Sequence, residues 1–341
     1  MNSPNLTETL ANLSVDVIVG FVVLATILRI SLLKIQNTTT RSAAEILESG
    51  LIAVVLVFLV IRPFVLQAYF IPSPSMEPTL LGKNGNGDRI LVNKLIYRKQ
   101  APQHDDVVVF IPPPAATDNT SEESGGSPVN FIKRLIGKPG DVIEAHAGKV
   151  IIGDTVFDHQ RLEKILTDAG VIQPDDFAAS DSEVKPDHRI KLVDGAILVD
   201  DKSYAPTELA KIIHIDGSTK ITIVPGYTTI NGKKLDEPFT AEDPDYDLQL
   251  FHGKPLKRLG PSYDEATRYR LDHTPISMQE YEADAKSAPE AVPKDTFFMM
   301  GDNRNNSTDS TEWGPLEKSR VVGRAEFVFW PLGRMGRIPT K

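Results

Sequence analysis

Two serines and a lysine hold the clearest chemical potential in this chain. The segment Phe70-Ile-Pro-Ser-Pro-Ser-Met-Glu-Pro-Thr-Leu80 sets Ser73 and Ser75 among Pro72, Pro74 and Pro78. Proline fixes its own φ and drives the preceding residue into extended conformations, so both hydroxyls sit on a stiff, non-helical stretch. A serine hydroxyl needs a base before it can attack. Histidine is the usual base, but His104, His146, His159, His188, His214, His252 and His273 lie in no neighbouring motif. The alternative is a Ser–Lys dyad, and Lys133 is the best placed lysine. If Asn130 to Ile136 form a strand, Lys133 shares a face with Phe131 and Leu135 while Arg134 points the other way. Those neighbours would desolvate the ammonium and lower a pKa that starts near ~10.4. Work near neutral pH asks for a shift of about three units, or roughly 4 kcal/mol. Taken alone, each feature also has a plain structural reading: a proline linker beside a membrane for the serines, an exposed strand edge for the lysine.

A third polar cluster, Gly301-Asp-Asn-Arg-Asn-Asn-Ser-Thr-Asp-Ser310, lies between Phe297-Phe-Met-Met300 and Trp313-Gly-Pro315. Such a loop could carry hydrogen-bonding groups into a site, or serve as a metal-binding or surface turn. Its spacing does not match an EF-hand, which wants acids at alternate positions and a later Glu.

The elements that must position these groups belong to a chain of 341 residues, ample for two or three domains. Lys and Arg total 37 against 46 Asp and Glu, a net charge of −9. An acidic balance without a basic tract argues against nucleic acid as a partner. The absence of cysteine excludes disulfides, thiolate zinc sites and a cysteine nucleophile. Val17 to Leu33 is apolar except for Gly20, Thr26, Arg29 and Ser31; Leu51 to Ile61 is unbroken, and Pro63 to Leu66 extends it past Arg62. As helices rising ~1.5 Å per residue these runs are marginal but workable against a hydrocarbon core of ~30 Å, with Arg29 and Arg62 near the ends. A pair of buried core helices is the other reading. A cleaved signal peptide fits less well, because the arm before residue 17 has no basic residue. Lys34 and Arg41 then make the connector cytoplasmic by the positive-inside bias, leaving everything after about Leu66 outside.

Beyond Gln67 the chain reads as short strands and turns: Arg89 to Lys94, Val107 to Ile111, Phe131 to Ile136 and Glu326 to Trp330 are rich in β-branched or aromatic residues. Three phrases look alike, Lys149-Val-Ile-Ile-Gly-Asp, Ala196-Ile-Leu-Val-Asp-Asp and Thr228-Thr-Ile-Asn-Gly-Lys, and each suits a strand entering a hairpin. Gln160 to Ala169 and Thr207 to Ile213 are candidate short helices. Pro112 to Pro128 and a stretch from about Glu280 to Pro293 read as polar loops.

In combination and order, these motifs closely resemble bacterial type I signal peptidase (leader peptidase), the Ser–Lys endopeptidases of the S26 family. The resemblance rests on two N-terminal apolar runs followed by Ile71-Pro-Ser-Pro-Ser-Met-Glu-Pro-Thr-Leu, Gly87-Asp-Arg-Ile-Leu-Val-Asn-Lys, Asp106-Val-Val-Val-Phe, Phe131-Ile-Lys-Arg-Leu-Ile-Gly-Lys-Pro-Gly-Asp141, Met300 to Ser310 and Val322-Gly-Arg-Ala325. It implies that Ser75 is the nucleophile and Lys133 its general base. Ser73 would join the Ser75 N–H in the oxyanion hole, Ser307 would orient the lysine, and Asp302 with Arg134 would brace the site. Ile71, Met76 and Ile132 would line pockets for small residues. Pro74, Asn305 and Thr311 depart from the usual Gly, Asp and Arg, which puts any ion pair from Asp309 in question. About 154–222 has no counterpart in that family.

The expected fold is mostly β: an extracytoplasmic arm over 1–16, transmembrane helices at 17–33 and 48–66 joined by a cytoplasmic connector at 34–47, then a β-rich catalytic domain. That domain is expected over 67–153 and 295–341, interrupted by an enlarged second β subdomain at 154–294. The resemblance implies a multi-pass enzyme of the cytoplasmic membrane that cleaves signal peptides from exported preproteins after small residues (Ala-X-Ala type). The lipid bilayer is a partner and the protein-export machinery a further one. No metal or organic cofactor is implied. Competing readings are a related Ser–Lys protease with one dedicated partner, and an inactive module that binds signal sequences.

Overall fold

Alternating burial along the short runs shows why they become strands: Tyr246–Phe251 alternates buried and half-buried positions, as a strand with one face on a core must. The computed structural model describes residues 15–35, 38–61, 64–83, 87–116, 130–172, 190–199, 202–264, 268–271 and 274–340. Most of the arm expected at 1–16 and of the polar loop after Pro112 lies outside the described residues, as does 173–189 of the insert. The chain divides into one unit of residues 1–70, 89–101 and 323–337, and another of 71–88, 102–322 and 338–341.

The first unit holds two helices, Val15–Leu33 and Thr38–Val55, the latter running into a π-helical turn Leu56–Ile61. They pack on each other, and Arg29 pairs with Glu48 at 2.5 Å. Val17, Phe21, Leu24, Ile27, Ile46 and Ile52 are all exposed. Among the described residues no helix is long and apolar enough to cross a membrane. The second helix starts well before the expected residue 48 because Thr38-Thr-Thr-Arg-Ser-Ala-Ala-Glu continues it, which brings Arg41, Glu45 and Glu48 inside. Leu66–Phe70 pairs antiparallel with Arg89–Asn93, and that strand with residues 324–330 of Val321–Trp330.

The second unit carries the motifs. Val107–Phe110 pairs antiparallel with Phe131–Gly137, which pairs in turn with Thr296–Met300, and Leu316–Glu317 closes the row. A seven-stranded sheet runs in the order Lys233–Lys234, Tyr227–Ile230, Ile143–His146, Tyr246–Phe251, Lys254–Leu259, Tyr269–Leu271, Thr274–Pro275. Ile136, Phe298 and Met300 share a core with Ile143, Tyr246 and Leu248, so the two sheets are welded by apolar burial. The stretch expected as a soft loop after Glu280 instead contains a helix, Met278–Ala285, whose Ser277 and Glu280 form a capping box.

The three similar phrases all form hairpins: Lys149–Ile152 with Thr155–Phe157, Ala196–Val199 with Lys202–Tyr204, and Tyr227–Ile230 with Lys233–Lys234. In the last, Asn231 and Gly232 have φ of 53° and 73°, the positive pair that a tight Asn-Gly hairpin turn requires. The first two hairpins each lead into a helix, His159–Asp168 and Pro206–Ile212, and each gains a third strand, Ile221–Val224 and Ile190–Val193 respectively. Both strand–turn–strand–helix units bury the same kinds of side chain, Val150, Phe157 and Leu162 in one and Ile197, Tyr204 and Leu209 in the other, within a single core.

One histidine departs from the expectation of unremarkable surroundings. His159, 7 % exposed, opens the first of those helices and places Nε2 3.1 Å from Asp243 Oδ1. Burial lowers its pKa, but Asp243, aided by Asp245 and Glu242, outweighs that and lifts it from the ordinary 6.5 to about 9. A folded-state pKa above the unfolded one means stability fully present below about pH 6.5 and lost as pH climbs through about 9, worth about 3 kcal/mol. His159→Gln is therefore expected to be clearly less stable than the parent at pH 6 and nearly level with it at pH 9.5, read by urea unfolding at both. An equal deficit at the two pH values would show that the pair is not charged.

Candidate active site

Ser75 occupies the middle of a single 3-10 turn, Pro74–Met76. Pro74 takes the first helical position, where its fixed φ fits and its missing N–H is no loss. Ser73 before it is extended, with φ −119° and ψ 151°, as the residue ahead of a proline tends to be. The turn is gripped by the polar loop of residues 301–310. Asn303 donates from its backbone N to Ser75 O at 3.2 Å and from Nδ2 to Pro74 O at 3.4 Å. At Gly301 the approach is so close that a Cβ would collide with Ser307 Oγ and the Ser75 carbonyl oxygen.

The strand Phe131–Gly137 supplies the amine. It is paired with Val107–Phe110 on one side and, over residues 134–137, with Thr296–Met300 on the other, and it is buried from Lys133 onward. Lys133 faces the same way as Phe131, whose ring centroid lies 5.6 Å from Nζ, and is only 4 % exposed. Nζ donates a hydrogen bond to Ser75 Oγ at 2.8 Å. Burial brings the Lys133 pKa down from 10.5 to about 8, against the upward pull of Asp309 and Asp302. At pH 7 about a tenth of such an amine is neutral, against less than a thousandth for an ordinary lysine. A neutral amine at this distance can accept the hydroxyl proton. Ser73 Oγ lies 3.3 Å from Ser75 Oγ and is exposed, so Ser73 is brought to the pair from the solvent side.

Arg134, the next residue, points away and is completely buried. Its Nε and Nη2 each reach Asp302 at 2.7 Å, a bidentate pair, and its Nη1 donates to Asp105 O at 2.8 Å and Pro339 O at 3.0 Å. The guanidinium stacks 4.0 Å from the Phe239 ring, and Thr79 Oγ1 donates to Asp302 Oδ2 at 2.6 Å. Asp309 is also buried; its carboxylate accepts from Gly301 N at 2.8 Å and Thr311 N at 2.9 Å, capping the short helix Ser310–Trp313. Backbone N–H groups thus occupy the carboxylate that an arginine at 311 would otherwise pair.

The remaining expected residues are placed as follows. Ser307 stands beside the Ser75 carbonyl, but its buried Oγ has no hydrogen-bond partner and is not bonded to Lys133. Ile71 and Met76 are buried and Ile132 is half-buried. Thr79, Asn303 and Asp105 went unmarked in the sequence. Asp105 carries a positive φ of 66° and offers its carbonyl to Arg134, a conformation that Asp and Asn adopt more readily than most residues and that was the one available hint.

A mostly β body in which a serine on a rigid turn receives a hydrogen bond from a desolvated amine is the architecture of a serine peptidase. The family model described as signal peptidase, peptidase S26, matches residues 43–205 and 211–330, and the chain belongs to that family. Signal peptidase I of Leptolyngbya laminosa is 24 % identical over 278 residues, covering 82 % of this chain and 75 % of that protein. The signal peptidase I of Aquifex aeolicus is 24 % identical over 302 residues, 85 % of this chain and 84 % of its own. A probable signal peptidase I of Mycobacterium leprae is 26 % identical over 320 residues, 87 % and 81 % respectively.

Because the folded-state pKa of Lys133 lies below the unfolded one, its burial costs stability in full below about pH 8, and the cost shrinks as pH climbs from about 8 to 10.5. Replacing the amine by an apolar side chain of like shape removes that cost. Lys133→Met should raise unfolding stability at pH 7 by about 2–3 kcal/mol, with the gain shrinking at pH 10.5. A loss of stability at pH 7 would show that the ammonium is better accommodated than its burial implies.

Proposed function

We propose that this chain is a membrane-bound serine endopeptidase that removes N-terminal signal peptides from exported preproteins after small residues, with Ser75 as nucleophile and Lys133 as its general base. The observation that carries the reading is the 2.8 Å contact from Lys133 Nζ to Ser75 Oγ, at an amine whose pKa burial has lowered to about 8. The names of the relatives supply the substrate class. In the cycle, neutral Lys133 takes the Ser75 proton as Oγ attacks the scissile carbonyl. The oxyanion forms against the Ser75 N–H and the Ser73 hydroxyl, preplaced donors of a kind typically worth about 3–4 kcal/mol each. Protonated Lys133 then gives its proton to the leaving amine, and a water, deprotonated by the same amine, releases the acyl group and regenerates the Ser75 hydroxyl.

Arg134 and Asp302 brace the site in this reading, and Ser307, beside Gly301, fixes the approach of the loop to Ser75. Ile71, Met76 and Ile132 give the apolar wall for the small residues before the cut. The two helices of residues 15–55 anchor the chain in the cytoplasmic membrane, with the catalytic body outside; their exposed Val17, Phe21, Leu24, Ile46 and Ile52 support this. The basic residues Lys34 and Arg41, between the two apolar runs, set the orientation.

Cleavage of a preprotein by the detergent-solubilised full chain tests the chemistry. Ser75→Ala and Lys133→Ala should each lose at least ~10³-fold in kcat, and kcat/KM of the parent should fall about tenfold per pH unit below about 8 as Lys133 takes up its proton. Full activity in either variant, or a flat acidic limb, would end the dyad assignment. Fractionation tests the anchor: the chain should stay with membranes after alkaline carbonate washing, and release would remove the anchoring reading.

A further inference from the structure

The loop of residues 301–310 that grips Ser75 is itself gripped by the acidic turn Glu242-Asp-Pro-Asp245. Asn305 makes the connection with three side-chain hydrogen bonds. Its Oδ1 accepts from Asp245 N at 3.1 Å, and its Nδ2 donates to Glu242 Oε2 at 3.2 Å and to Asp243 O at 3.1 Å. The turn is itself firmly held by its neighbours. Glu242 Oε1 accepts from Ile190 N at 3.2 Å; Asp243 accepts from Leu192 N at 2.8 Å and Gly226 N at 2.6 Å and faces His159. Gly148 N donates to Pro244 O at 2.9 Å, and a Cβ at Gly148 or Gly226 would strike the Asp243 carboxylate. Glu242, Asp243 and His159 are all buried. The turn therefore has little freedom, and Asn305 inherits its position.

We propose that Asn305 is a positioning residue for the Ser75–Lys133 pair: it transfers the fixed geometry of the acidic turn to the loop that sets the Ser75 backbone. The proposal rests on the functional reading given above. An amide is the one side chain of this size that accepts from an N–H while donating to a carboxylate and a carbonyl together. An aspartate here keeps the bond from Asp245 N but turns a charged oxygen toward Glu242 Oε2 and the Asp243 carbonyl, replacing two attractions by two repulsions in a poorly hydrated place. Asn303, two residues before it, is the one that donates to Ser75 O and Pro74 O, so a shift of the loop by a few tenths of an ångström reaches the 2.8 Å contact. Since Asn305 touches neither Ser75 nor Lys133, its loss acts on the chemical step rather than on substrate binding.

The test compares Asn305→Asp, Asn305→Ala, Glu242→Gln and the Asn305→Asp/Glu242→Gln double variant in the full-length, solubilised chain. Asn305→Asp should lower kcat tenfold or more with KM within twofold. Glu242→Gln alone should also lower kcat, because its new NH2 group meets either the Asn305 NH2 or the Ile190 N–H. The double variant should recover to within threefold, because the new amide at 242 can donate to the new carboxylate at 305. Asn305→Ala should lose activity without rescue by Glu242→Gln, which keeps the outcome readable if the aspartate variant folds poorly. Acylation of Ser75 by a small electrophile, followed by mass, should track the same ratios without any substrate. Unchanged kcat in Asn305→Asp, no recovery in the double variant, or equal rescue of the alanine variant would each overturn the proposal. Equal acylation of Ser75 in the parent and in Lys133→Ala would instead overturn the dyad, and the positioning role with it.

Discussion

Lys133 Nζ sits 2.8 Å from Ser75 Oγ where water scarcely reaches, and two buried carboxylates, Asp302 and Asp309, lie close enough to raise its pKa. That is the constraint on which the body depends. At an effective dielectric of ~20, an unpaired carboxylate ~6 Å away would contribute about 3 kcal/mol, or about two pKa units, and would undo most of what burial achieves. Neither carboxylate is unpaired. Asp302 is held bidentately by Arg134 and capped by Thr79, and Asp309 is held by the backbone N–H groups of Gly301 and Thr311. Desolvation therefore remains the largest influence on the amine, and its pKa settles near 8.

The same arrangement explains why adjacent basic residues have opposite fates. Strand alternation sends Lys133 to the Ser75 side and Arg134 to the Asp302 side. One is left with a single hydroxyl partner and loses part of its hold on its proton. The other meets a carboxylate, two carbonyls and an aromatic face, enough to keep a buried guanidinium charged. A lysine at 134 could not reproduce the planar fork, and an arginine at 133 could not become neutral.

How much of this was legible in the sequence follows from how local each feature is. The strand Phe131–Gly137, the side on which Lys133 faces, the two helices His159–Asp168 and Pro206–Ile212 and the hairpin phrases are all written in short-range patterns, and all were readable. The stiffness of the serine segment was readable from its prolines. Partner identities were not. Thr79 meets Asp302 across more than two hundred residues of chain, which no periodicity announces, and the pairing of Asp302 with Arg134 came from resemblance alone. His159 stood in no recognisable motif because Asp243 lies 84 positions away. The capping box at Ser277 was a missed local signal, since Ser and Glu three residues apart stand there in plain view. The expected bond from Ser307 to the lysine came from resemblance alone, and here that hydroxyl lies buried against Gly301 without a partner.

Pro74, Thr311 and Asn305, where the resemblance leads one to expect other residues, make physical sense when each is considered with what surrounds it. Pro74 suits the first position of a turn whose following residues are held by Asn303, so conformational freedom there has no evident use. Thr311 offers its backbone N–H to Asp309, a group that any residue but proline supplies, so losing the arginine leaves the carboxylate still satisfied. Asn305 is different in kind, because its side chain meets Glu242 and the Asp243 carbonyl. A carboxylate at 305 would be set against another carboxylate here. The amide at 305 therefore joins the acidic turn to the loop beside Ser75 as only a side chain that donates as well as accepts can.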